Sequence, residues 1–297
     1  MTYVLYNPLA DNKKGKANAE KISALIGKDS VKYIDITKAD IKELAGAAHP
    51  DERVILCGGD GTLYHFINEC EGEIPEHPIF YYPTGSGNDF MADVRERAEG
   101  QLVLLNPYLK NLPTVTVNGK EHLFINGIGY GIDGYCCEEG DKLREKSAAK
   151  INYTSIAIKG LLFHFKPRKA TVTVDGKKHT YRHVWLAPTM HGRFYGGGMM
   201  VAPGQARNSE DRLVSTVVLH CPSKLKTLIV FPSIFKGEHV KHAEMVEILQ
   251  GHNITVEFDR PTALQIDGET IPNVTEYSVR AQASCSAAIN EEEAVAV

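Results

Sequence analysis

The N-terminal third of the chain alternates short apolar runs with amphipathic segments. The runs are rich in β-branched and aromatic residues, as strands are, and the segments between them carry apolar residues at helical spacing. Strands that alternate with helices form a parallel sheet covered by helices. The predicted strands span 3–6, 31–36, 54–57 and 79–82, and the predicted helices span 17–26, 40–47, 63–69 and 89–94.

The first predicted helix carries its apolar residues on one side. Lysines occupy other positions of this segment, so the apolar side is predicted to lie against the sheet. The residues on that side are Ala17, Ile22, Leu25 and Ile26.

Each predicted strand ends in a loop of small or polar residues. The carboxyl ends of parallel strands meet at one edge of a sheet, and ligands of open parallel sheets bind beyond that edge. We therefore expect the loops to form one binding site. They contain Asn7-Pro8, Thr37, Gly-Gly-Asp-Gly-Thr at 58–62, and Pro-Thr-Gly-Ser-Gly-Asn-Asp at 83–89.

The pattern changes to hairpins from about Leu112. Asn118-Gly119 and Asp175-Gly176 each follow a Thr-Val-Thr-Val run, and such dipeptides are strong turn signals between paired strands. This half is predicted to be mostly antiparallel β. We place an α/β domain at 1–110, a second domain at 111–285 and a frayed tail at 286–297. Predicted elements of the second half are strands 114–117, 122–126, 171–174, 179–186, 213–219, 254–258, 263–266 and 277–280, and a helix at 142–162.

Composition excludes several classes of protein. The 297 residues are 43% apolar and 24% charged, which is ordinary for a folded soluble chain. The net charge of −4 gives no overall positive field, so no nucleic-acid partner is expected. The six cysteines form no CxxC pair and the start of the chain has no leader pattern, so we expect a cytoplasmic protein with free thiols. Apolar stretches at 156–165 and 225–235 are too short to span a bilayer.

The motif at 58–62 follows a predicted strand and precedes a predicted helix. Glycines at such a junction let backbone amides approach phosphate oxygens, and the helix N-terminus adds positive potential. A carboxylate beside a polyphosphate is repelled unless a cation lies between them, so Asp60 indicates a nucleotide bound with Mg²⁺. The alternative is a tight turn with Thr62 as the helix cap, which would not need three glycines.

The segment 83–89 has the same character one strand later. Its glycines allow close backbone approach, Ser86 offers a hydroxyl, and Asn88-Asp89 suits the start of a helix. A capped turn explains the last two residues but not the glycines, and taken alone the motif leaves both readings open.

Acidic residues of the second half are ambiguous by themselves. In Ile266-Asp267-Gly268-Glu269, a carboxylate near the departing phosphate could accept a hydroxyl proton, but Asp-Gly is also a hairpin signal. Asp211 suits either a turn or a cation site.

Taken together, the motifs resemble the diacylglycerol kinase catalytic-domain superfamily. The similarity is strongest to bacterial soluble lipid kinases, a group that also includes sphingosine and ceramide kinases. A glycine-Asp motif alone is shared with NAD kinases and phosphofructokinases, whereas Gly-Ser-Gly-Asn-Asp-Phe and a late Asp-Gly-Glu are typical of lipid kinases. The motifs cover nearly the whole chain: Asn7-Pro8, 58–62, 83–90, Phe124-Ile125-Asn126, 196–199 with Ala202-Pro203, and 266–269.

The resemblance implies a parallel-sheet α/β nucleotide domain, similar to that of phosphofructokinase, followed by an antiparallel β-sandwich that binds lipid. ATP would lie in the cleft between them. Asp60 and Asp89 would organise a catalytic Mg²⁺, and Glu269 would accept the proton with Asp267 beside it. The residues implied to contact ATP are Asn7, Thr37, Gly58, Gly59, Asp60, Gly61, Thr62, Leu63, Tyr64 and Ser86.

A second, structural Mg²⁺ is also implied by the resemblance. It would correspond here to Asp211 and the backbone carbonyls of Asn208 and Leu213. The chain departs from the family around this site, because Arg212 stands where glycine is usual and Ser215 where aspartate is common. The first loop departs as well, with Leu-Ala-Asp-Asn at 9–12 in place of a tighter Ser-Gly pattern.

The sequence therefore predicts an ATP- and Mg²⁺-dependent lipid kinase whose acceptor is diacylglycerol or a related long-chain lipid. An NAD-kinase-like enzyme with a soluble substrate and a non-catalytic nucleotide or lipid sensor are the alternatives. We expect peripheral contact with the inner membrane face through residues of 156–168, for which core packing is the alternative. The sequence leaves open whether the chain forms a homodimer.

Overall fold

The computed structural model describes residues 1–26, 31–41, 52–70, 77–85, 87–95, 101–146 and 152–282. Its two main sheets have five strands in the N-terminal part and ten in the C-terminal part. The first sheet is parallel over four strands, and the pairings of the second are antiparallel. The predicted change from α/β to antiparallel β is confirmed.

The first sheet has the strand order β2-β1-β3-β4-β5, in which β5 is the antiparallel edge strand. Its side chains alternate between two apolar layers, as a sheet covered on both faces requires. Leu5 and Leu56 face one layer, whereas Val4 and Ile55 face the other. The strands are β1 (Thr2–Tyr6), β2 (Val31–Asp35), β3 (Arg53–Gly58), β4 (Ile79–Pro83) and β5 (Val103–Leu104).

The described helices around this sheet are short. The predicted helix 40–47 lies mostly outside the described residues. The predicted helices 63–69 and 89–94 are present, and the first of them begins three residues earlier, at Asp60. The helices are α1 (Ala10–Lys13), α2 (Gly15–Glu20), α3 (Ser23–Ile26), α4 (Asp60–Glu69), α5 (Asp89–Val94) and α6 (Asn106–Leu109).

The prediction for the apolar side of the first helix is confirmed for Ile22 and Ile26, which pack against the sheet, and is wrong for Ala17 and Leu25. Ile22 is fully buried, but Leu25 is 52% exposed and Ala17 is exposed. The chain forms α2 and α3 instead of one helix, because tight i to i+3 hydrogen bonds from Lys21 and Ile22 interrupt the regular helical spacing. Asn18 is therefore buried where Ala17 was expected to be.

The second sheet has the strand order β7-β6-β17-β16-β8-β11-β14-β10-β9, with β15 beside β14. Strand β9 also pairs with β16, so part of the sheet closes on itself around an apolar core. The strands are β6 (Thr114–Val117), β7 (Lys120–Leu123), β8 (Gly127–Tyr130), β9 (Arg168–Val174), β10 (Lys177–Leu186), β11 (Thr189–Met190), β14 (Val214–His220), β15 (Val246–Gly251), β16 (Asn253–Ile266) and β17 (Glu269–Arg280); β12 (Phe194–Tyr195) and β13 (Met199–Met200) form a separate hairpin.

Strand β16 joins two segments that were predicted as separate strands. Its pairing with β17 shifts register between Glu257 and Leu264, around Pro261, which cannot donate a ladder hydrogen bond. The hairpin turns at Asp267-Gly268, where both residues have positive φ as a type I′ turn requires. The predicted strand 122–126 is also corrected, because β7 ends at Leu123 and the next residues form a loop.

The predicted helix 142–162 is two helices. Helix α7 (Ile132–Lys146) begins earlier than expected, and α8 (Tyr153–Lys159) continues into a π-helical turn at Gly160–His164. The remaining helical segments are α9 (Lys224–Val230) and 3₁₀ turns at Phe231–Lys236 and Glu238–Lys241.

Over the described residues, no helix has the length and apolar character needed to cross a bilayer. Cysteines 57, 70, 136, 137 and 221 are free thiols, and Cys285 lies outside the described residues.

Candidate active site

The two glycine loops touch at the carboxyl edge of the first sheet. The Thr84 amide donates to the Gly58 carbonyl at 2.9 Å, and the Asp60 amide donates to Gly87 at 3.2 Å. A methyl group added to Gly85 would collide with the Gly59 backbone, lying 2.7 Å from its nitrogen. The glycines therefore permit the contact between loops, in addition to leaving amides accessible. Ser86 lies outside the described residues.

Gly85→Ala is expected to lower the free energy of unfolding by about 1–3 kcal/mol, because the added methyl group meets immovable backbone. Gly204→Ala is the matched control, since nothing lies within 4 Å of a methyl group there, and its effect should stay within about 0.5 kcal/mol. Urea denaturation followed by circular dichroism measures both. Equal effects of the two substitutions would contradict the close contact.

Asp60 is the first residue of α4 and connects both domains. Its Oδ2 accepts a hydrogen bond from the Asp89 amide at 2.8 Å, and its Oδ1 accepts from the Phe90 amide at 3.1 Å. Oδ1 also accepts from Asn126 Nδ2 of the second domain at 3.0 Å. Asp60 therefore caps α5 and fixes the loop that carries Asn126.

Asp89 is buried at the start of α5 and binds the second domain through its carboxylate. Gly197 and Gly198 donate their amides to its two oxygens at 2.8 and 2.6 Å. Both glycines have positive φ, a conformation that lets consecutive amides point at one acceptor. The sequence motif at 196–198, which named no chemistry, is thus an anion-binding turn for Asp89.

Asp60 and Asp89 lie close enough for the charge of one to affect the other. Burial raises the pKa of Asp60. Burial and the neighbouring Asp60 charge raise the pKa of Asp89, and the glycine amides oppose that rise. A divalent cation would remove this repulsion, and carboxylate oxygens are the ligands that Mg²⁺ prefers. Because their oxygens already accept hydrogen bonds, Asp60 and Asp89 suit a catalytic ion that they organise together with its waters. The described residues contain no cluster of three or more His, Cys, Asp or Glu suited to a metal.

Asp267 is buried at the tip of the β16–β17 hairpin and holds the loop that ends in Asn126. Its carboxylate accepts from the amides of Ile125, Asn126 and Gly127 at 2.6, 2.8 and 2.9 Å. Burial raises its pKa to about 6, against the effect of these amides. Asp267 is thus both a hairpin residue and the anchor of the loop that contacts Asp60.

Glu269 begins β17 and lies over the glycine loop. A methyl group added to Gly61 would lie 3.5 Å from its Oε1, so the carboxylate faces the segment implied to hold the nucleotide. Its side chain is 45% exposed and its Oε1 is 3.4 Å from His65 Nε2. The hydrogen bond with His65 lowers the pKa of Glu269 and raises that of His65. Glu269 is therefore kept unprotonated and open to solvent, which suits a proton acceptor.

A buried ion pair joins the domains beside this site. Arg207 donates through Nε and Nη2 to Asp93 of α5 at 3.0 and 2.8 Å, and Arg193 Nε donates to the same carboxylate at 2.6 Å. Arg207 also donates to the Ile125 carbonyl and, at 3.1 Å, to Asn126 Oδ1. Sequence reasoning missed His65, Asp93, Arg193 and Arg207, since no motif marks them.

The other residues implied to contact ATP differ in which of their atoms are free to meet a ligand. Asn7 Oδ1 accepts from the Leu9 amide at 2.9 Å, and Thr37 bonds to Asp35 through both its amide and hydroxyl. Thr62 is buried against Gly58, and Leu63 is fully buried in the apolar core. The Tyr64 hydroxyl contacts His122 Nδ1 at 3.0 Å in the second domain. Leu63 can therefore meet a nucleotide only through its backbone.

Two backbone carbonyls around the implied second metal site accept hydrogen bonds from side chains. The Leu213 carbonyl accepts from Gln205 Nε2 at 2.8 Å, and the Asp211 carbonyl accepts from His252 Nε2 at 2.8 Å. Ser215, which stands where aspartate is common, is buried and hydrogen-bonded to Gln205. Asn208 and Asp211 are exposed. Side-chain hydrogen bonds hold this segment, so the second metal site stays a prediction from the resemblance and we assign no step to it.

Comparison with known proteins agrees with this architecture. The family model described as the diacylglycerol kinase catalytic domain matches residues 1–108, and the model described as the YegS C-terminal NAD kinase beta sandwich-like domain matches residues 126–285. A protein named diacylglycerol kinase from Mycobacterium tuberculosis is 24% identical over 253 residues, 81% of this chain and 80% of its own.

Solved structures show the same fold. A crystal structure described as a diacylglycerol kinase from Bacillus anthracis aligns with a TM-score of 0.59 at 15% identity, over 95% of this chain and 94% of its own. Another structure from that organism has a TM-score of 0.66 at 17% identity, over 95% and 92% of the two chains. Because the family models follow the order of the two sheets and one of them spans more than half of the sequence, this chain belongs to the diacylglycerol kinase-like superfamily.

Proposed function

We propose that the chain is an ATP- and Mg²⁺-dependent lipid kinase that transfers the γ-phosphoryl group of ATP to the hydroxyl of diacylglycerol or a related lipid alcohol. The observation that carries the proposal is the position of Glu269, a solvent-accessible carboxylate beside Gly61 in the glycine loop. The Mycobacterium tuberculosis relative is named diacylglycerol kinase, which supports this acceptor. We propose that the enzyme acts from the cytoplasm at the inner membrane face.

The two glycine loops would bind the nucleotide phosphates. Amides around Gly59 and the N-terminus of α4 supply positive potential there, and they need no reorganisation when charge develops. Asp60 and Asp89 would organise Mg²⁺ and its waters, and the bound ion would supply charge neutralisation for the phosphates. Their orientation is fixed by amides from both domains, so these two carboxylates depend on the domains staying together.

Glu269 would take the proton of the attacking hydroxyl at one of its carboxylate oxygens. The new bond forms between the substrate oxygen and the γ-phosphorus, the bond to the ADP oxygen breaks, and the proton passes from Glu269 to solvent. Asp267 has its oxygens occupied by backbone amides and serves to place the loop that carries Asn126.

His65→Gln is expected to move the acidic limb of the kcat–pH profile to higher pH. Glu269 must be unprotonated to accept a proton, and His65 is the largest cause that lowers the pKa of Glu269. Without His65, burial raises that pKa, so activity is lost at a higher pH as the medium is acidified. A profile recorded with saturating substrates measures this. An unchanged acidic limb would contradict the role of His65.

The acceptor is tested by transfer of labelled γ-phosphate from ATP with Mg²⁺ to a panel of acceptors. The panel contains diacylglycerol, a sphingoid base and ceramide in detergent micelles, and NAD in solution. Label on a lipid supports the proposal and identifies the acceptor class. Label on NAD alone would replace the lipid acceptor with a soluble one, and ATP binding without any transfer would indicate a sensor.

A further inference from the structure

Two neighbouring segments of the second domain expose large apolar side chains. In the first, Phe163 is 74% exposed at the end of the π-helical turn; in the second, Leu225 and Ile229 of α9 are 69% and 70% exposed. We call the exposed apolar side chains of these segments the apolar ridge. Its members are Ile158, Leu162, Phe163, Leu225, Ile229 and Phe235.

The two segments of the ridge contact each other, and α9 is held by its buried face. Lys224 Nζ donates to the Leu162 carbonyl at 3.4 Å, which joins the start of α9 to the π-helical turn. Leu225 and Ile229 are four residues apart and lie on one face of α9, while Thr227 and Val230 on the opposite face are buried. The helix is therefore anchored by one face and presents the other to the surroundings.

The same two segments are strongly basic. Neither 152–169 nor 222–237 contains Asp or Glu, although the whole chain has a net charge of −4. After the second segment, Glu238 and Glu244 are the first acidic residues along the chain, and they pair with Lys241 and Lys226. The basic residues of the segments are Lys159, His164, Lys166, Arg168, Lys169, Lys224, Lys226 and Lys236.

We propose that the apolar ridge and its lysines dock this protein on an anionic lipid bilayer. Apolar side chains bordered by cations match the boundary between acyl chains and anionic headgroups, where both the burial of apolar surface and charge attraction favour binding. A second copy of this chain fits less well, since a twofold contact would set the basic residues of one ridge against those of the other. The role of docking in catalysis rests on the proposed function; docking itself does not.

The ridge is linked to the candidate active site through α7 and α8. Thr270, the neighbour of Glu269, donates its hydroxyl to Asp141 of α7 at 2.7 Å. Arg144 donates to Asp141 at 2.8 Å and to the hydroxyl of Tyr153 at 2.7 Å. Helix α8 begins at Tyr153 and continues to the ridge. A docked bilayer would therefore contact α8, which is linked through Arg144 and Asp141 to the strand that carries Glu269.

The test is co-sedimentation of the full chain with phosphatidylcholine vesicles, with and without phosphatidylglycerol, at low and high salt. Wild type is expected to bind the vesicles that contain phosphatidylglycerol and to release at high salt. Phe163→Asp and Ile229→Asp should each weaken binding by about tenfold or more, because an apolar anchor is lost and a negative charge is added. Leu25→Asp is the matched control, since Leu25 is 52% exposed in the first domain. Thermal unfolding checks that all variants fold.

Failure of docking and failure of the kinase proposal give different results. Docking at the ridge is supported if wild type binds the vesicles and the ridge variants do not. The ridge variants should still phosphorylate a water-soluble short-chain diacylglycerol. Vesicle binding without any phosphate transfer supports docking and overturns only the kinase. Phosphate transfer without vesicle binding, or equal losses in Leu25→Asp and the ridge variants, overturns docking. A dimer that Ile229→Asp separates, with no vesicle binding, assigns the ridge to self-association.

Discussion

Glu269→Gln should lower kcat for lipid phosphorylation by about 10²–10⁴-fold, because the amide keeps the shape of the side chain but cannot accept a proton. ATP binding should change little, since Glu269 lies beside Gly61 but the phosphate-binding groups of the glycine loops are backbone amides. Steady-state kinetics and equilibrium titration with ATP separate the two effects.

Glu276→Gln is the matched control for this experiment. Glu276 lies on the same strand, is exposed and pairs across the hairpin with Glu257, away from the glycine loops. It should keep the wild-type kcat. A Glu269→Gln enzyme with the same kcat as this control would remove Glu269 from the mechanism.

Arg207→Met is expected to lower the free energy of unfolding by about 3 kcal/mol or more, because the buried Asp93 carboxylate loses its buried positive partner. It also removes donors from the Ile125 carbonyl and from Asn126 Oδ1, so the loop beside Asp60 loses support. Denaturant titration measures the stability, and kcat should fall as well because Asn126 orients Asp60.

Arg193→Met separates a buried contact from an exposed one. Arg193 binds the same carboxylate, but its side chain is 37% exposed compared with 4% for Arg207, so its loss should cost about 1 kcal/mol. The double variant Asp93→Leu with Arg207→Met should recover part of the stability lost by Arg207→Met, since the buried charge is then absent. Equal costs of the two arginine substitutions would contradict the assigned burial.

Much of the first sheet and its edge could be predicted from local pattern. The strands at 3–6, 31–36, 54–57 and 79–82 are β-rich runs followed by loops, and parallel pairing places those loops at one edge. The glycine-Asp motif at 58–62 marked the loop where Asp60 begins α4. These features depend on residues close together in sequence, which is why pattern reasoning reached them.

Contacts between distant residues could not be predicted in this way. Asp93 and Arg207 are 114 positions apart, and neither belongs to a motif. The amides that donate to Asp89 belong to Gly197 and Gly198, which the sequence showed only as part of a family motif, with no partner assigned. His65 is one of two exposed residues of α4, and nothing in the local sequence shows that β17 brings Glu269 beside it.

Errors in the predicted helices also have local physical causes. Leu25 was assigned to the buried side, but the tight turn between α2 and α3 changes the direction of each later side chain. The predicted helix began at residue 142, whereas α7 begins at Ile132 and contains Gly134 and Gly140. Glycine has low helix propensity, so the local pattern did not mark this part as helical. The structure keeps both glycines in α7 because each allows close packing: a methyl group at Gly134 would collide with the Ala263 carbonyl, and one at Gly140 would lie 2.7 Å from the Tyr153 ring.

The most direct test of the kinase assignment is label transfer from γ-labelled ATP with Mg²⁺ to diacylglycerol in mixed micelles, with the product identified by chromatography. Wild type should form labelled phosphatidate, and Glu269→Gln should form it at least about 10²-fold more slowly. Purified wild type that binds ATP but leaves diacylglycerol and every other lipid alcohol unlabelled would contradict the account.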